Sequence, residues 1–575
     1  MSSANTTSKI LLVLLIINLV LSAGILSYMT SLTGIATKID DLSSKTSELA
    51  SAERDLANAM VNLSETIGTY GETIAGIQQR ISGLEEAVKP KPVILGTTDK
   101  ITVLDPAKCY DFYTWEIFNN IGEGLLKYKP GTTEITLGIA ESYEVSDDGR
   151  VYTFTLRPGL KFTDGAPLDA AAVKYSIDRV MSLDLDPSWL VSAFVDRVEV
   201  VDNLTVKFIL KKPVSYFPSL VATVPYFPVS PKSYPADRMA EPTVGHYGPY
   251  RIKRWIRDVE MVLEANPDYY GAAPKTKEFI IKFYKDAATL RLAVETGEID
   301  IAWRTLKPTD ILDLKARGVL TVEEVPGPYI RYLVLRCNKP PFNDVRLRRA
   351  IAAAIDRQKI CEEVYKGTVE PLYSMIPMGM WSHIDAFKEE YGVRNLTLAR
   401  ELLKEAGYSE QNPFEFELWY TPTHYGDLEA DVALVIKESL EETGMMKVTL
   451  KSAEWATYAA EYIAKGVMPI FLLGWYPDYI DPDDYTTCFL HSEWSPDLGV
   501  FYNNSRMDEL LDAASLEIDI SKRTELYQEV QRLMAEEAPV IPFFQGKLYA
   551  IFWPNVRGVV LDPTLILRYY LIYKE

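Results

Sequence analysis

Four carboxylates and three large aromatic side chains are concentrated in residues 474–484, and these residue types suit contacts with a ligand. The carboxylates are Asp478, Asp481, Asp483 and Asp484, and the aromatic residues are Trp475, Tyr476 and Tyr479. Two prolines in this stretch indicate a loop, and the apolar run 469–473 before it is typical of a buried strand. Loops at strand ends commonly carry ligand contacts on a rigid scaffold. The segment is therefore either a binding loop or an acidic turn whose rings pack on the core.

Motifs for catalysis and for metal binding do not occur in the sequence. It has no phosphate-cradling Gly-rich loop, no nucleophile elbow and no zincin motif. The aspartates of 478–484 lack the glycine and the glutamate that an EF-hand calcium loop requires. The four cysteines and four histidines are scattered without Cys-x-x-Cys or His-x-x-x-His spacing. We therefore predict no catalytic residue, no metal site and no cofactor, and the cysteine count leaves their pairing open.

Length and charge restrict the class of protein. The chain has 575 residues, too many for one hydrophobic core, so two or three domains are expected. The net charge is −20, and the sequence shows no basic stripe that could bind the phosphates of a nucleic acid. This argues against nucleic acid as a partner. The 35 tyrosines and 10 tryptophans supply rings with an apolar face and a polar edge, which suit wet binding clefts.

An uncharged run of 20 residues, 10–29, follows a polar segment, 1–9, that carries a single Lys9. The run is as long as a helix that spans a bilayer and longer than the apolar part of a typical cleaved signal peptide. We predict a transmembrane signal-anchor, with 1–9 in the cytoplasm and the globular part outside a cell membrane that is crossed once. Cleavage after the small residues 21–24 is the alternative. Lipidation is excluded because Ile25 stands where a lipoprotein signal needs cysteine.

Apolar residues then recur at alternating spacings of four and three from Ile35 to Val88. This heptad pattern predicts a coiled-coil stalk over 30–89, followed by a linker at 90–92, and the stalk offers a surface for homo-oligomers. Glycines weaken the seam, so a flexible stalk or a single amphipathic helix on the globular part are alternatives. Four sequons in the extracellular part favour glycosylation, with chance occurrence as the alternative. They are at Asn62, Asn203, Asn395 and Asn503.

The globular part starts at residue 93, and its pattern changes near residue 286. Before that point, a helix is expected at 115–126, and short strands meet at turn signals such as Asp148-Gly149 and Asp202-Asn203. After it, helix and strand patterns alternate, and the last strands are expected at 540–544 and 547–553. This alternation indicates an α/β fold.

Several motifs from residue 93 onwards occur in the order of one protein family. They are Leu104-Asp-Pro106, Ala140–Gly149, Tyr152–Gly159, Lys161–Gly165, Gly297-Glu-Ile-Asp300, Pro340–Ala350 and Ala399–Gly407. On these motifs the chain resembles the extracytoplasmic solute-binding proteins of the peptide/nickel class of ABC importers, solute-binding protein family 5. Their order over about 480 residues, rather than any single motif, carries the resemblance.

The resemblance implies a two-lobed α/β fold of the type II periplasmic-binding-protein class, placed after the transmembrane helix and the stalk. Lobe I would comprise 93–334 and 540–575, with an inserted subdomain near 139–245, and lobe II would comprise 335–539. The resemblance implies no catalytic activity. The lobes would close over a solute and present it to ABC permease subunits in the membrane.

The resemblance also implies roles for single residues. In peptide-binding relatives, a Gly-Trp followed after two further residues by Asp supplies the carboxylate that pairs with the ligand's α-ammonium, and here that residue is Asp478. The other pocket residues that it implies are Tyr110, Phe112, Trp303, Arg304, Trp475, Tyr476 and Tyr479. Arg304 is expected to meet a ligand carboxylate unless it is an ordinary surface arginine. The charge of Asp478 favours di- or oligopeptides, whereas the rings suit oligosaccharides, which some members of the class bind. A cell-envelope scaffold with a vestigial cleft is a further hypothesis.

Overall fold

The computed structural model describes residues 2–40, 46–88, 91–463 and 465–575. The chain forms two compact units, Met1–Pro90 and Lys91–Glu575. The first unit contains the helices α1 (Ser2–Asp40) and α2 (Thr46–Val88). Within α1, Ser8–Thr30 has a mean hydropathy of 2.7 and is, among the described residues, the one helical stretch long and apolar enough to cross a membrane. The finding confirms an apolar N-terminal helix of spanning length, a property that anchors share with signal sequences.

The helix α2 presents a stripe of half-buried apolar residues, such as Leu56 and Ile74, between exposed polar ones. This is the pattern of an amphipathic helix. The stalk prediction also covers residues 41–45 and 89, and the linker prediction covers Pro90, all of which lie outside the described residues. Coiled-coil pairing between chains therefore stays a prediction.

The second unit is built on a mixed β-sheet with smaller sheets beside it. Its strands are β1 (Val93–Thr97), β2 (Leu126–Tyr128), β3 (Ile135–Leu137), β4 (Ala140–Val145), β5 (Val151–Leu156), β6 (Val195–Val200), β7 (Thr205–Leu210), β8 (Tyr250–Ile256), β9 (Glu260–Ala265), β10 (Glu278–Phe283), β11 (Ile301–Trp303), β12 (Thr321–Leu335), β13 (Val369–Pro371), β14 (Phe414–Tyr420), β15 (Met446–Ser452), β16 (Ile470–Trp475), β17 (Val540–Phe552), β18 (Val556–Arg557) and β19 (Tyr573–Lys574). The large sheet has the order β15, β14, β16, β12, β17, β11, β1, β10, β9, β8, with β13 added at β17. Parallel neighbours such as β14 and β15, joined through a helix, are the pattern of an α/β fold.

Helices connect these strands. They are α3 (Phe112–Ile121), α4 (Ala170–Leu183), α5 (Trp189–Ser192), α6 (Phe217–Val221), α7 (Ala287–Glu295), α8 (Pro308–Arg317), α9 (Val345–Ala354), α10 (Arg357–Lys359), α11 (Ala386–Tyr391), α12 (Leu396–Glu405), α13 (Glu429–Glu441), α14 (Trp455–Thr457), α15 (Thr487–Leu490), α16 (Ser505–Leu516) and α17 (Ile520–Glu537). The start of α3 differs from the expected helix at 115–126. Asp111 caps α3 by accepting a hydrogen bond from the N–H of Thr114 (2.8 Å), so the helix begins at Phe112.

Two long antiparallel strands, β12 and β17, pair along most of their length and connect the lobes. β17 is continuous, so the expected separate strands at 540–544 and 547–553 are wrong. The intervening Gln545-Gly546-Lys547 resembles a turn in sequence, yet Gln545 is buried and Gly546 lies against the ring of Tyr329, where any side chain would collide. Glycine here serves close packing rather than a turn.

Each lobe has its own hydrophobic core, and these cores locate the crossing between lobes. Residues 330–335 and 540–544 pack into the core of lobe II, whereas Leu548, Ala550 and Phe552 pack into that of lobe I. The register of β12 against β17 is irregular between these regions. β12 and β17 therefore pass from one core to the other between Val325 and Ile330 and between Phe544 and Leu548, and the lobe limits at 334/335 and 539/540 stay a prediction.

The inserted subdomain contains an antiparallel sheet in the order β4, β5, β7, β6. The two predicted turns, at Asp148-Gly149 and Asp202-Asn203, join β4 to β5 and β6 to β7. The backbone N–H of Ser215 donates to the carbonyl of Ser515 (2.8 Å). The region near 139–245 therefore reaches across to lobe II.

Candidate functional site

The loop 474–484 follows β16, whose side chains up to Leu473 are buried in the core of lobe II. The strand extends two residues further than expected, to Trp475, and Gly474 pairs in register with Arg331 of β12. A side chain at 474 would collide with the guanidinium of Arg331. Glycine is therefore required at this position because the arginine packs directly against the backbone in front of Trp475.

Asp481 shapes the loop rather than facing a ligand. Its carboxylate caps a short 3₁₀ helix, Pro482–Tyr485, by accepting from the N–H of Asp483 (3.0 Å). It also accepts two hydrogen bonds from the guanidinium of Arg523, at 3.0 and 2.7 Å, and both side chains are buried. A paired, buried carboxylate of this kind fixes the loop to α17.

Asp483 and Asp484 hold the aromatic rings of the loop. Asp483 accepts from the hydroxyl groups of Tyr479 and Thr487, each at 2.8 Å, and Asp484 accepts from the indole N–H of Trp475 (2.8 Å). Burial raises the pKa of both carboxyl groups. The interpretation of these two aspartates as loop-shaping residues agrees with their contacts.

Asp478 differs from the other aspartates of the loop because it is only partly buried and lines the cavity between the lobes, whereas the other three are buried and hydrogen-bonded within the loop. Among residues 91–463 and 465–575, no lysine or arginine forms an ion pair with its carboxylate, which is partly buried. The hydroxyl of Tyr110 lies beside this carboxylate and lowers its pKa, against the larger effect of burial. Burial raises the pKa of Asp478 to about 7. A positively charged group placed here would gain an ion pair that the protein itself does not supply.

Lobe I contributes Tyr110 and Phe112, which flank the capping residue of α3. The ring of Phe112 lies 5.3 Å from that of Tyr476, centroid to centroid, and Tyr476 also stacks on Tyr329 of β12 at 5.1 Å and 13°. Tyr476 keeps 39% of its surface exposed. The three rings form a contiguous row from lobe I to the hinge, in which Phe112 is tilted by 38° against Tyr476 and Tyr476 is stacked on Tyr329.

A cavity of about 40 Å³ lies beside Asp478 between the lobes. Phe112, Asp478 and Tyr479 line it, as predicted residues of the site, and Tyr110 lies next to it through its contact with Asp478. Trp475 lies behind the loop, in contact with the core of lobe II. Further lining residues that sequence reasoning missed are Trp115, Asn119, Tyr128, Thr223 and Arg568.

The lobes touch each other around this cavity, so the structure is a closed form. Tyr479 stacks on Tyr216 of the inserted subdomain at 5.2 Å and 9°. The backbone N–H of Ile480 donates to the hydroxyl of Tyr128 (3.3 Å), and Ser219 donates to the carbonyl of Ile480 (3.4 Å). The missed residue Tyr128 lies far from the loop in sequence and belongs to no motif, so only the fold places it here.

Trp303 does not line the cavity, which corrects its predicted role. It is 1% exposed in the core of lobe I, and its indole N–H donates to Glu116 (2.9 Å). Trp303 was correctly predicted to lie in a strand, but that strand, β11, is central in the sheet and all three of its residues are buried. Trp303 is a core residue.

Arg304 is neither a surface arginine nor free to meet a ligand carboxylate. Its guanidinium lies 3.1 Å from Asp99 and 3.3 Å from Glu116, and its side chain is 15% exposed. Burial raises the pKa of Glu116 to about 7, although the charge of Arg304 opposes this rise. The predicted ligand contact of Arg304 is therefore replaced by an internal ion pair.

A buried cation in lobe II was missed by the sequence reasoning. Arg331, on β12 beside Gly474, pairs with Glu429, and its guanidinium carbon lies 3.7 Å from the ring centroid of Tyr425. Its Nε and Nη1 have no hydrogen-bond partner among the described residues. No local motif marks Arg331, because it is one residue within an apolar strand.

Neither metal ligation nor disulfide bonding is organised at this site. Among the described residues, no three His, Cys, Asp or Glu side chains are grouped so as to hold a metal ion. The four cysteines, Cys109, Cys337, Cys361 and Cys488, are free thiols. The site therefore offers charge, hydrogen bonds and aromatic surface for binding.

Comparison with known proteins gives consistent similarities. Residues 134–497 match the family model of the bacterial extracellular solute-binding proteins, family 5. The chain is 30% identical over 495 residues to the probable D,D-dipeptide-binding periplasmic protein of Escherichia coli (strain K12), covering 83% of this chain and 93% of that protein. It is 29% identical over 493 residues to the glutathione-binding protein of Salmonella paratyphi A, with the same coverage.

Solved structures agree with these sequence matches. The periplasmic binding protein DppA from Helicobacter pylori, described as ABC transporter-associated and in complex with the peptide STSA, superimposes with a TM-score of 0.71. It is 25% identical and covers 86% of this chain and 100% of its own. The fold is thus the two-lobed α/β fold of periplasmic binding proteins, in a family of substrate-binding proteins rather than enzymes. From its family-model match, its relatives and its fold, the chain belongs to the bacterial extracellular solute-binding proteins of family 5.

Proposed function

We propose that this protein is the extracellular receptor of an ABC importer and captures di- or oligopeptides between its lobes. The observation that carries the proposal is Asp478, a partly buried carboxylate at the interlobe cavity with no ion-pair partner among the described residues. A peptide α-ammonium placed against it would form a charge-assisted hydrogen bond in surroundings of low dielectric. Closure of the lobes around that pair would favour the liganded state.

The arrangement of the rings supports a peptide over an oligosaccharide. Tyr476 stacks on Tyr329 and also contacts Phe112 at a tilt of 38°, and Trp475 is held by Asp484, so both rings already pack against other protein groups. The names of the relatives agree, since they describe proteins that bind D,D-dipeptides, glutathione and the peptide STSA. A sugar-binding cleft would instead leave aromatic faces free to stack on the ligand.

The proposal is tested by a binding screen with the full chain in detergent. Dipeptides and tripeptides with a free amino terminus, and cello- and malto-oligosaccharides, are added one at a time while thermal unfolding is followed. Peptides are expected to raise the melting temperature, because a ligand that binds only the folded state stabilises it by mass action. A rise with oligosaccharides alone would overturn the peptide proposal.

We further propose that Ser8–Thr30 remains in the mature protein as a single membrane anchor, which keeps the lobes near the permease that receives the ligand. The length and hydropathy of this stretch support the proposal. Its test is amino-terminal sequencing of protein extracted from membranes. A mature chain that starts after residues 21–24 would overturn it.

The amphipathic face of α2 supports a third element of the proposal, association of two or more copies through the stalk. Apolar side chains on that face, including Met60 and Ile67, are exposed within the single chain. A second copy that contributes the same face would bury them in the manner of a coiled coil. The oligomeric state of the detergent-solubilised chain, measured by light scattering, tests this element, and a monomer at all concentrations would overturn it.

A further inference from the structure

A second cavity lies between the lobes and shares Ile480 with the cavity beside Asp478. It has a volume of about 230 Å³, and Ile480 lines both cavities. Its walls come from residues 325–328 of β12, from the loop 377–380 of lobe II, and from lobe I at Leu561. Since both lobes and the hinge contribute to it, this pocket is complete only in the closed form.

The lining of this pocket is apolar. Its side chains include Val325, Met378, Met380 and Leu561, and none of the described residues that line it carries a charge. The polar Gln545 is already engaged: its amide oxygen accepts from the N–H of Met378 (2.6 Å), and its Nε2 donates to the carbonyl of Gly327 (2.8 Å). A polar ligand group would find few free partners here, whereas an apolar group would be removed from water.

The size and position of this second cavity suit a side chain of the bound peptide. Engineered apolar cavities of about 150 Å³ bind benzene, so a pocket of about 230 Å³ has room for a leucine or phenylalanine side chain. Asp478 and Ile480 are two residues apart, so their Cα atoms are separated by at most about 7 Å. Each residue of an extended peptide spans about 3.4 Å. A peptide whose α-ammonium meets Asp478 would therefore bring its second or third side chain to Ile480.

We propose that the pocket formed by β12, the loop 377–380 and Leu561 receives an apolar side chain of the bound peptide. The protein would therefore select peptides with an aliphatic or aromatic residue at the second or third position. This inference rests on the proposed peptide function. It adds to that function a preferred class of peptide, because the contact of Asp478 with the charged amino terminus does not depend on the side chains of the peptide.

The test compares peptides that differ in one side chain. Dissociation constants of trialanine, Ala-Leu-Ala and Ala-Ala-Leu are measured by calorimetry on the full chain in detergent. One leucine peptide is expected to bind about 10- to 100-fold more tightly than trialanine, from the apolar area that its side chain buries. Thr133→Trp and Leu561→Trp narrow the pocket from lobe I, and each should remove this preference while trialanine keeps its affinity. Met239→Trp, at an exposed methionine outside the pocket, is the matched control.

The outcomes separate this inference from the function on which it rests. Equal binding of all three peptides by the unmodified protein would overturn the pocket inference alone, and so would an equal loss of affinity for trialanine and the leucine peptide in a folded variant. Absence of binding by every peptide would overturn the proposed function and the inference with it. If both tryptophan variants fail to fold, the comparison of peptides on the unmodified chain still decides the question.

Discussion

Replacement of Asp478 by asparagine should separate ligand binding from stability. The substitution keeps the shape of the side chain and its contact with Tyr110 but removes the charge. Loss of one partner of a desolvated charge pair costs about 2–5 kcal/mol, which corresponds to a peptide affinity at least about 30-fold weaker. Asp497→Asn, at an exposed aspartate of the same lobe, is the control and should leave the affinity unchanged.

In the absence of ligand, the same substitution should have the opposite effect and raise the stability of the protein. The folded-state pKa of Asp478 is raised from its ordinary value of 3.8 to about 7, so the carboxyl group lowers the stability of the empty protein progressively as pH rises through this interval. Asparagine carries no such charge. We therefore expect Asp478→Asn to stabilise the empty protein at pH 8, by at most about 4 kcal/mol, and to have little effect at pH 4.

Peptide affinity should depend on pH for the same reason. Only the ionised carboxylate pairs with an ammonium group, so affinity should fall as pH falls through about 7, to about 100-fold weaker at pH 5 than at pH 8. Asp484 is the other carboxyl group facing Asp478, and repulsion between the two contributes to the raised pKa of Asp484. Tyr110 and the Cys488 thiol, whose pKa values are also raised, stay neutral over this range.

The assay is calorimetric titration of trialanine and of N-acetyl-trialanine between pH 5 and pH 8. Acetylation removes the ammonium group, so the acetylated peptide should bind weakly at every pH and should not distinguish Asp478 from asparagine. This comparison also removes the contribution of Glu116, whose pKa is about 7 but which lies outside the cavity. A constant affinity of trialanine across the pH range, or the same affinity in the asparagine variant, would refute the reasoning.

Two further predictions concern the framework of the site and the stalk. Arg523→Leu leaves Asp481 buried without its cation and should lower the free energy of unfolding by about 3–5 kcal/mol in denaturant titrations, whereas Arg506→Leu, at an exposed ion pair, should lower it by less than about 1 kcal/mol. Equal losses would show that the buried pair does not hold the loop. Ile74→Asp places a charge in the apolar stripe of α2 and should shift the detergent-solubilised protein towards the monomer in light scattering, whereas Thr73→Asp, on the exposed face, should not. Unchanged oligomers in the Ile74 variant would contradict the stalk proposal.

The sequence alone predicted the elements that depend on local physics. The 20-residue apolar run predicted the helix that includes Ser8–Thr30, because length and hydropathy are properties of one segment. Turn residues located the hairpins at Asp148-Gly149 and Asp202-Asn203 for a similar reason. The order of motifs identified the family, which the family-model match over 134–497 confirms.

The tertiary structure decided which charged residues remain available to a ligand. Asp478, Asp481, Asp483 and Asp484 have the same chemistry in the sequence, and only folding brings Arg523 from α17 to Asp481 while it leaves Asp478 without a cation. Arg304 looked equally available, but Asp99 and Glu116 pair with it in the core of lobe I.

The apolar pocket beside Ile480 shows the same limit of sequence reasoning. Its walls come from β12, from the loop 377–380, and from lobe I at Thr133 and Leu561, and no spacing in the chain relates these segments. An ion pair or a pocket wall depends on distances between groups far apart in sequence, and the local pattern of a segment does not determine those distances. The sequence therefore determined the family, the segments and the candidate loop, whereas packing of the lobes decided which carboxylate of that loop faces the cavity and what lies beside it.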